Sequence, residues 1–250
     1  MSGHSKWANI KRRKGAQDAK RARVFGRLIR EITVAARGGA DPDGNARLRA
    51  AVIAARLANM TNDTVEKAIK RGSGADGGAV FEEIAYEGYG PGGVAIIVET
   101  QTDNRNRTTA AVRHVFTKFN GNLGGTGSVS FLFERKGVIT LDSDGTSLDA
   151  VMEAAIEAGA EDVQEEDGTI TVTTAMEDMH TVNAGLAAAG LQVTSANLMP
   201  VPSTYVKVEG DDAVTLMKLI SHMDDLDDVA RVSANFDIDD ATMAAIEDQL

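Results

Sequence analysis

Cysteine is absent from the 250 residues. Its absence excludes disulfides, thiolate zinc sites, iron–sulfur clusters and a cysteine nucleophile. Aromatic residues make up only 4% of the chain, against a hydrophobic content of 43%, so any core must be built from Ala, Val, Ile and Leu. No apolar run approaches the ~18–20 residues a bilayer-spanning helix needs, and the N-terminal charges are followed by no apolar stretch of the secretory kind. The expectation is a cytoplasmic protein with no membrane partner. The four histidines, His4, His114, His180 and His222, show no metal-ligand spacing, and there is no Gly-x-Ser-x-Gly elbow. Neither a catalytic constellation, a cofactor site, a metal site nor a small-molecule substrate is evident, and the expectation is a protein that is not an enzyme.

Acidic residues are also nearly missing from one end. The first 30 residues hold ten Lys/Arg and one acid, Asp18, a net +9 in a chain of net −11. Charge this segregated repels itself, and a surface built for solubility would mix its signs. The fitting partner is a polyanion that the basic end touches and the acidic body avoids. Nucleic acid fits better than lipid, because the segment offers Trp7 but few large apolar residues before Val24.

The chain then divides by pattern. Residues 1–16 are polar and basic and are expected to be mobile when unbound. From Asp18, Phe25, Leu28, Ile29, Ile32 and Ala36 repeat at helical spacing, and Gly38, Gly39 and Pro42 end the run. A second helix is predicted from about Gly44 to Asn59, with Leu48, Val52, Ala55 and Met60 inward. A third runs from Asn62 or Asp63 to Gly72, with Val65, Ala68 and Ile69 inward. Gly72–Gly78 reads as a linker. Beyond it, Glu83–Glu87 and Val94–Thr100 read as a hairpin around a Gly88–Gly93 turn. Asn104–Phe119 reads as a helix and Asn120–Gly127 as a glycine-rich loop.

Residues 135–202 follow the order βαββαβ of a ferredoxin-like module, closed by Pro200 and Pro202. Its strands are Val138–Leu141, Asp162–Gln164, Thr169–Thr173 and Gln192–Leu198. Its helices are Leu148–Ala158 and Glu177–Ala189. A last βαβ spans Tyr205–Val208, Asp211–Met223 and Val229–Phe236. Neither this unit nor the ββα of 81–134 is large enough for its own core. The expected fold class is therefore α+β and multidomain. A basic three-helix bundle (1–78) precedes a discontinuous α/β domain (79–134 plus 203–240), which is interrupted by an inserted ferredoxin-like βαββαβ domain (135–202).

Several motifs resemble one known family. Gly3-His4-Ser5-Lys6-Trp7-Ala8-Asn9-Ile10-Lys11 followed by Ala16-Gln17-Asp18-Ala19-Lys20-Arg21 resembles the opening of the YebC/PmpR family, which includes a mitochondrial translational activator of cytochrome oxidase subunit one. So do Ala58-Asn59-Met60, Glu66–Gly72, Tyr86–Gly93, Thr102–Thr108, Gly121–Gly124 and Gly127-Ser128-Val129. These motifs cover residues 1–135 densely, and the rest is matched through element order. Gly15 and Gly26 depart from the family pattern. The resemblance implies three domains, the second interrupted by the third, and a non-enzymatic role on nucleic acid. Family members are described as DNA-binding transcriptional regulators and as translation factors that relieve ribosome stalling, for instance at proline runs.

The candidate contact residues follow. Lys6, Lys11, Arg12, Arg13, Lys14, Lys20, Arg21 and Arg23 are suited to phosphates, and Trp7 to a base or groove. Against this stands a solvated tail with Trp7 tucked onto the bundle. Arg105 and Arg107, at a helix start where positive charge is locally unfavourable, suggest a bound anion. Against that, Asp103 caps the helix and the arginines pair with nearby acids. Gly88–Gly93 and Gly121–Gly127 match neither a dinucleotide fingerprint nor a phosphate loop and read as turns. The runs Asp224-Asp225, Asp227-Asp228 and Asp237–Asp240 read as solvated helix ends. The expected partner is the ribosome, through ribosomal or transfer RNA. DNA is the alternative, for which Arg47, Arg49 and Arg56 on the second helix would have to read bases without sharing a clean face.

Overall fold

The computed structural model describes residues 17–74, 81–166 and 168–247. Helix α1 spans Gln17–Ala35, α2 Ala46–Leu57 and α3 Asn62–Gly72. One side chain organises the first junction. Asn45 Oδ1 accepts from Leu48 N at 3.1 Å, capping α2. Its Nδ2 donates to the Ala35 carbonyl at 2.7 Å and to that of Gly39 at 2.9 Å, closing the end of α1. Helix α2 stops at Asn59, which takes a left-handed φ of 60° while Met60 N bonds back to the Ala55 carbonyl at 2.9 Å. That turn drives Met60 into the core with Ile32, Leu48, Val52, Ala55 and Val65, and Phe25, Leu28, Ile29 and Ile69 pack against them half-buried. Helices α1 and α3 approach so closely that a Cβ on Gly72 would lie 2.1 Å from the Thr33 carbonyl oxygen.

Gly26 has no such role. A Cβ there would meet only the Arg30 guanidinium, at 3.8 Å. Gly26→Ala is therefore expected to stabilise α1 by about 0.5–1 kcal/mol. Hydrogen exchange of the neighbouring α1 amides should slow several-fold. Unchanged or faster exchange would contradict the helix as described.

Strands β1 (Glu82–Tyr89) and β2 (Ala95–Thr102) form an antiparallel hairpin with Glu82 opposite Thr102 and Tyr89 opposite Ala95. Gly88 and Tyr89 lie in β1, so the turn is shorter than expected and falls at Pro91–Gly93. Helix α4 (Arg105–Lys118) follows. Strand β3 (Asn122–Leu123) inside the glycine stretch then pairs with Gly88 and Tyr89. Gly88 is needed here, since a Cβ would sit 2.5 Å from the Asn122 carbonyl. Next come β4 (Phe133–Asp142), α5 (Leu148–Glu157), β5 (Asp162–Glu166), β6 (Thr169–Thr174), α6 (Met179–Ala188) and β7 (Val193–Pro202). The chain then runs through β8 (Val206–Lys207), α7 (Gly210–Asp224), β9 (Val229–Ala234), β10 (Phe236–Asp237) and α8 (Asp240–Glu247).

These form a mixed α/β fold in which helices pack on antiparallel sheets. One sheet has the order β3-β1-β2-β9, and a second has the order β5-β6-β4-β7. In the first, β2 is buried on both faces. Ile96 and Val98 join α4 and α7 through Val112, Phe116, Leu216 and Leu219, while Ala95 and Ile97 turn to a smaller cluster with Val129, Leu132 and Phe133. In the second, Ile139, Leu141, Ile170 and Val172 meet Val151, Ala155, Val182 and Leu186 of α5 and α6.

Two expectations are corrected. The chain does not leave the larger core at residue 240, because Met243 and Ile246 of α8 are buried in it. With only those two large apolar residues per short helix, α8 carries little periodic signal. Nor do Pro200 and Pro202 lie outside the last strand of their unit. They pair with Arg135 and Phe133 at the end of β7, an edge strand where proline's missing N–H costs no ladder bond.

Candidate nucleic-acid interface

Of the expected contact residues, Lys6, Trp7, Lys11, Arg12, Arg13 and Lys14 lie outside the described residues, and Lys20 and Arg21 fall on the first turns of α1. Arg23, Arg27 and Arg30 follow at spacings of four and three, which places them on one stripe of α1. That stripe faces the end of α7. Arg23 pairs with the Asp225 carboxylate, Arg27 donates to the Asp224 carbonyl, and Arg30 donates to the Asp227 carbonyl. A helix C-terminus concentrates carbonyl charge and attracts such cations. Burial lowers the Arg30 guanidinium from its ordinary value, opposed by Asp228 and Asp227, but an arginine remains protonated. The acidic run at 224–228 is thus the docking surface of the basic helix, where a solvated helix end was expected. Arg23 and Asp225 are each about half exposed (45% and 50%), so this pair orients more than it stabilises.

A second bridge ties the same two parts of the chain. Arg47 reaches Glu31 at 2.7 Å and also bonds Glu83 of β1, while Gln101 of β2 donates to Glu31. Hydrogen bonds to Glu83 and then Glu31 raise the Arg47 guanidinium, and the bond to Arg47 lowers the Glu83 carboxyl. Arg49 donates to the Pro42 carbonyl at 2.9 Å and to that of Asp43. Two of the three arginines that base reading by α2 would need are therefore held by the protein itself.

The start of α4 separates Arg105 from Arg107. The cap is Asn104, whose Oδ1 accepts from Arg107 N at 3.1 Å; Asp103, the expected cap, instead accepts from Arg107 Nη2 at 2.9 Å. Arg107 also forks onto Asp228, with Nη2 at 2.8 Å and Nε at 3.2 Å. These bonds, to Asp228 first and Asp103 second, raise its guanidinium. Asp228 further accepts from Thr108 Oγ1 at 2.7 Å and Thr102 Oγ1 at 3.2 Å. Arg107 thus braces the junction of β2, α4 and β9. Arg105 is exposed, and no ion pair engages it among the described residues.

The glycine-rich loop before β4 is organised by Glu87, which carries no sequence signal beyond its place in a strand. Its carboxylate, on a residue only 6% exposed, accepts from the backbone N–H groups of Gly127 (2.9 Å), Val129 (2.8 Å) and Ser130 (2.8 Å). Burial alone would push this carboxyl up; the three donors more than offset that and hold it below its ordinary value. Among the described residues no group of three or more His, Asp or Glu side chains could hold a metal ion, and no helix is long and apolar enough to cross a membrane.

Helices and antiparallel sheets of mixed α/β type, with a basic helical end docked on an acidic body, describe the class of protein. The family follows from comparison. Residues 5–75 match the model of the TACO1/YebC protein N-terminal domain, and residues 81–236 that of the TACO1/YebC second and third domain. The chain belongs to the TACO1/YebC family, as its motifs had indicated. It is 55% identical over 247 residues to a protein of Syntrophotalea carbinolica, covering 98% of this chain and 99% of that one. It is 54% identical over 239 residues to a protein of Treponema denticola, covering 95% and 97%. Both relatives bear the name probable transcriptional regulatory protein. The fold is similar to the crystal structure of a conserved hypothetical protein from Aquifex aeolicus, with a TM-score of 0.86 and 46% identity over 89% of this chain and 93% of that one.

Proposed function

We propose that this protein is a nucleic-acid-binding regulator of gene expression, working in the cytoplasm as a ribosome-associated translation factor without catalytic groups of its own. The observation that carries the reading is the charge partition: ten Lys/Arg and one acid in the first 30 residues, against nine Lys/Arg and 30 Asp/Glu from residue 81 onward. The basic end is drawn to ribosomal or transfer RNA, and the acidic body is held off it. Lys6, Lys11, Arg12, Arg13, Lys14, Lys20 and Arg21 serve as phosphate contacts and Trp7 as a stacking group. Arg23 exchanges Asp225 for phosphate on binding, Arg105 adds a contact from the body, and Arg107 acts by bracing. Any effect on peptide-bond formation comes from positioning the reacting ends.

In this reading the chain has three domains. The strand order β5-β6-β4-β7 supports a ferredoxin-like unit at 135–202, inserted into a domain formed by 79–134 and the segment after 202. The single core shared by β1, β2, α4, α7 and α8 supports that discontinuity. The relatives' name favours a second reading, a DNA-binding transcriptional regulator. The engagement of Arg47 and Arg49 by Glu31, Glu83 and backbone carbonyls weighs against base reading by α2.

Co-sedimentation with ribosomes at about 150 mM salt, where the Debye length is roughly 8 Å, tests the proposal beside gel-shift titration on random duplex DNA. Saturable ribosome binding that is lost in a Lys11/Arg12/Arg13/Lys14→Ala variant, with only weak DNA binding, is the expected result. Tight sequence-selective DNA binding without ribosome association would replace it with the regulator reading.

A further inference from the structure

From Gly137 to Val206, seventy consecutive residues, the chain has twelve Asp or Glu and no lysine or arginine. Helices α5 and α6 and strands β5, β6 and β7 all lie within that stretch. A surface built for solubility would intersperse both signs. This part of the body repels a phosphate backbone or an anionic membrane and attracts a cationic partner.

Helix α5 shows where such a partner can seat. Asp149, Glu153 and Glu157 stand on it at i, i+4 and i+8, all exposed and without an ion pair among the described residues. Carboxylates four apart on a helix repel one another. Glu157 also sits in the last turn, where the backbone dipole favours a cation and none is present. Met152 and Ile156 lie three residues after Asp149 and Glu153, which makes them neighbours on the helix surface. They are 37% and 62% exposed. The rest of α5 is already engaged. Val151 and Ala155 are buried in the core over the sheet. Ala154 and Ala158 face α6, where a Cβ on Gly185 would lie 2.8 Å from the Ala158 Cβ and 3.8 Å from the Ala154 carbonyl oxygen. Met152 and Ile156 are each two residues from these alanines, about 160° around the helix, and so turn away from α6. The outer flank of α5 is therefore a short apolar ridge beside an acidic one.

We infer that this flank of α5 docks a basic amphipathic segment of a protein partner. The partner's Lys or Arg side chains meet Asp149, Glu153 and Glu157, and its apolar side chains cover Met152 and Ile156. The three carboxylates recur about every 6 Å along the helix, the spacing of cations at i, i+4 on a partner helix. The inference goes beyond the nucleic-acid reading and holds whichever nucleic acid the basic end takes. It gives the two ends of the charge partition separate partners: nucleic acid for the basic end, a basic protein for the acidic body.

The test uses the full-length protein and two fluorescent synthetic peptides of equal charge, read by anisotropy at about 150 mM salt. One peptide is an amphipathic helix with Lys at i, i+4 and Leu beside them, and the other is oligolysine. The amphipathic peptide should bind more tightly. Asp149→Asn/Glu153→Gln/Glu157→Gln should weaken it about tenfold and flatten its salt dependence. Met152→Gln/Ile156→Gln should weaken it about tenfold and leave oligolysine binding unchanged. Glu82→Gln/Asp211→Asn/Asp212→Asn, which removes the same charge from exposed positions elsewhere on the body, should change affinity by less than about twofold. Far-UV circular dichroism should show all three variants folded. Equal losses in the two charge variants, or wild-type affinity in the Met152/Ile156 variant, would reduce the binding to net charge and overturn the proposal. Peptide binding seen only in the Lys11/Arg12/Arg13/Lys14→Ala protein would mean that the chain's own basic end fills the flank, and would overturn it too. So would a fall in sedimentation mass on replacing Met152 and Ile156, which would assign the flank to a second copy of the chain.

Discussion

Glu87→Ala is expected to destabilise the segment from Gly124 to Phe133 by about 2–4 kcal/mol. The carboxylate serves three backbone donors at 2.8–2.9 Å. Bonds to a charged acceptor are worth more than neutral ones, and removing the acceptor leaves the buried Val129 N–H without a partner. The same segment covers Ala95 and Ile97 on the second face of β2, so losing its anchor also exposes apolar surface. Hydrogen exchange of the Gly127, Val129 and Ser130 amides reads this directly, with an acceleration of roughly 30-fold or more expected from that energy. Glu87→Gln, which keeps an oxygen acceptor but no charge, should fall between. The pH dependence has a definite sign. Because the folded protein holds this carboxyl below its ordinary value, the stabilisation is fully present above the unfolded value of about 4.3 and is lost as pH falls through the folded one. The gap between wild type and Glu87→Gln should close in that acid range. Unchanged amide exchange in Glu87→Ala at neutral pH would refute the anchor.

Asp228→Ala should cost about 2 kcal/mol. Its carboxylate joins Thr108, Thr102 and Arg107, and so ties the start of α4 to the entry of β9. The Asp228 side chain is 13% exposed but that of Arg107 is 54% exposed, so Arg107 can regain water when its partner is removed. That is why the figure sits below the range for a fully buried pair. Burial raises the Asp228 carboxyl, and the bonds from Thr108, Arg107 and Thr102 reverse this and lower it overall. Its contribution is therefore complete above the unfolded value of about 3.9 and is lost as pH falls through the lower folded value. Urea unfolding at pH 7 and again at the most acid pH at which the protein stays folded should show the larger cost at the first. Equal cost at both would mean that packing, not charge, is what Asp228 supplies.

Both residues show where reading the sequence stopped. Glu87 reads as an ordinary strand residue, because its donors come from a loop about forty positions later and loop N–H groups have no signature in side-chain pattern. Asp228 sits in a run that composition assigns to solvent, and its partner Arg107 lies 121 residues away. The helices were legible for the opposite reason: Ile32, Leu48, Val52 and Val65 repeat at helical spacing and end on local signals such as Asn45, Asn59 and Gly39. The resemblance of residues 1–135 to the YebC/PmpR family was legible because its motifs are long contiguous strings.

Sequence alone thus determined every described helix but α8 and most strands, the family, and the separation of a basic end from an acidic body, since periodicity, caps and net charge are properties of neighbouring residues. Only the tertiary structure decided which cations are free. Arg23, Arg27 and Arg30 meet the end of α7, Arg47 meets Glu31 and Glu83, and Arg107 meets Asp228, while Arg105, Arg113, Lys118 and Lys218 make no ion pair among the described residues. The reason is range: an ion pair forms within about 4 Å in space whatever the distance along the chain, so whether a charge is spent or available is settled by folding.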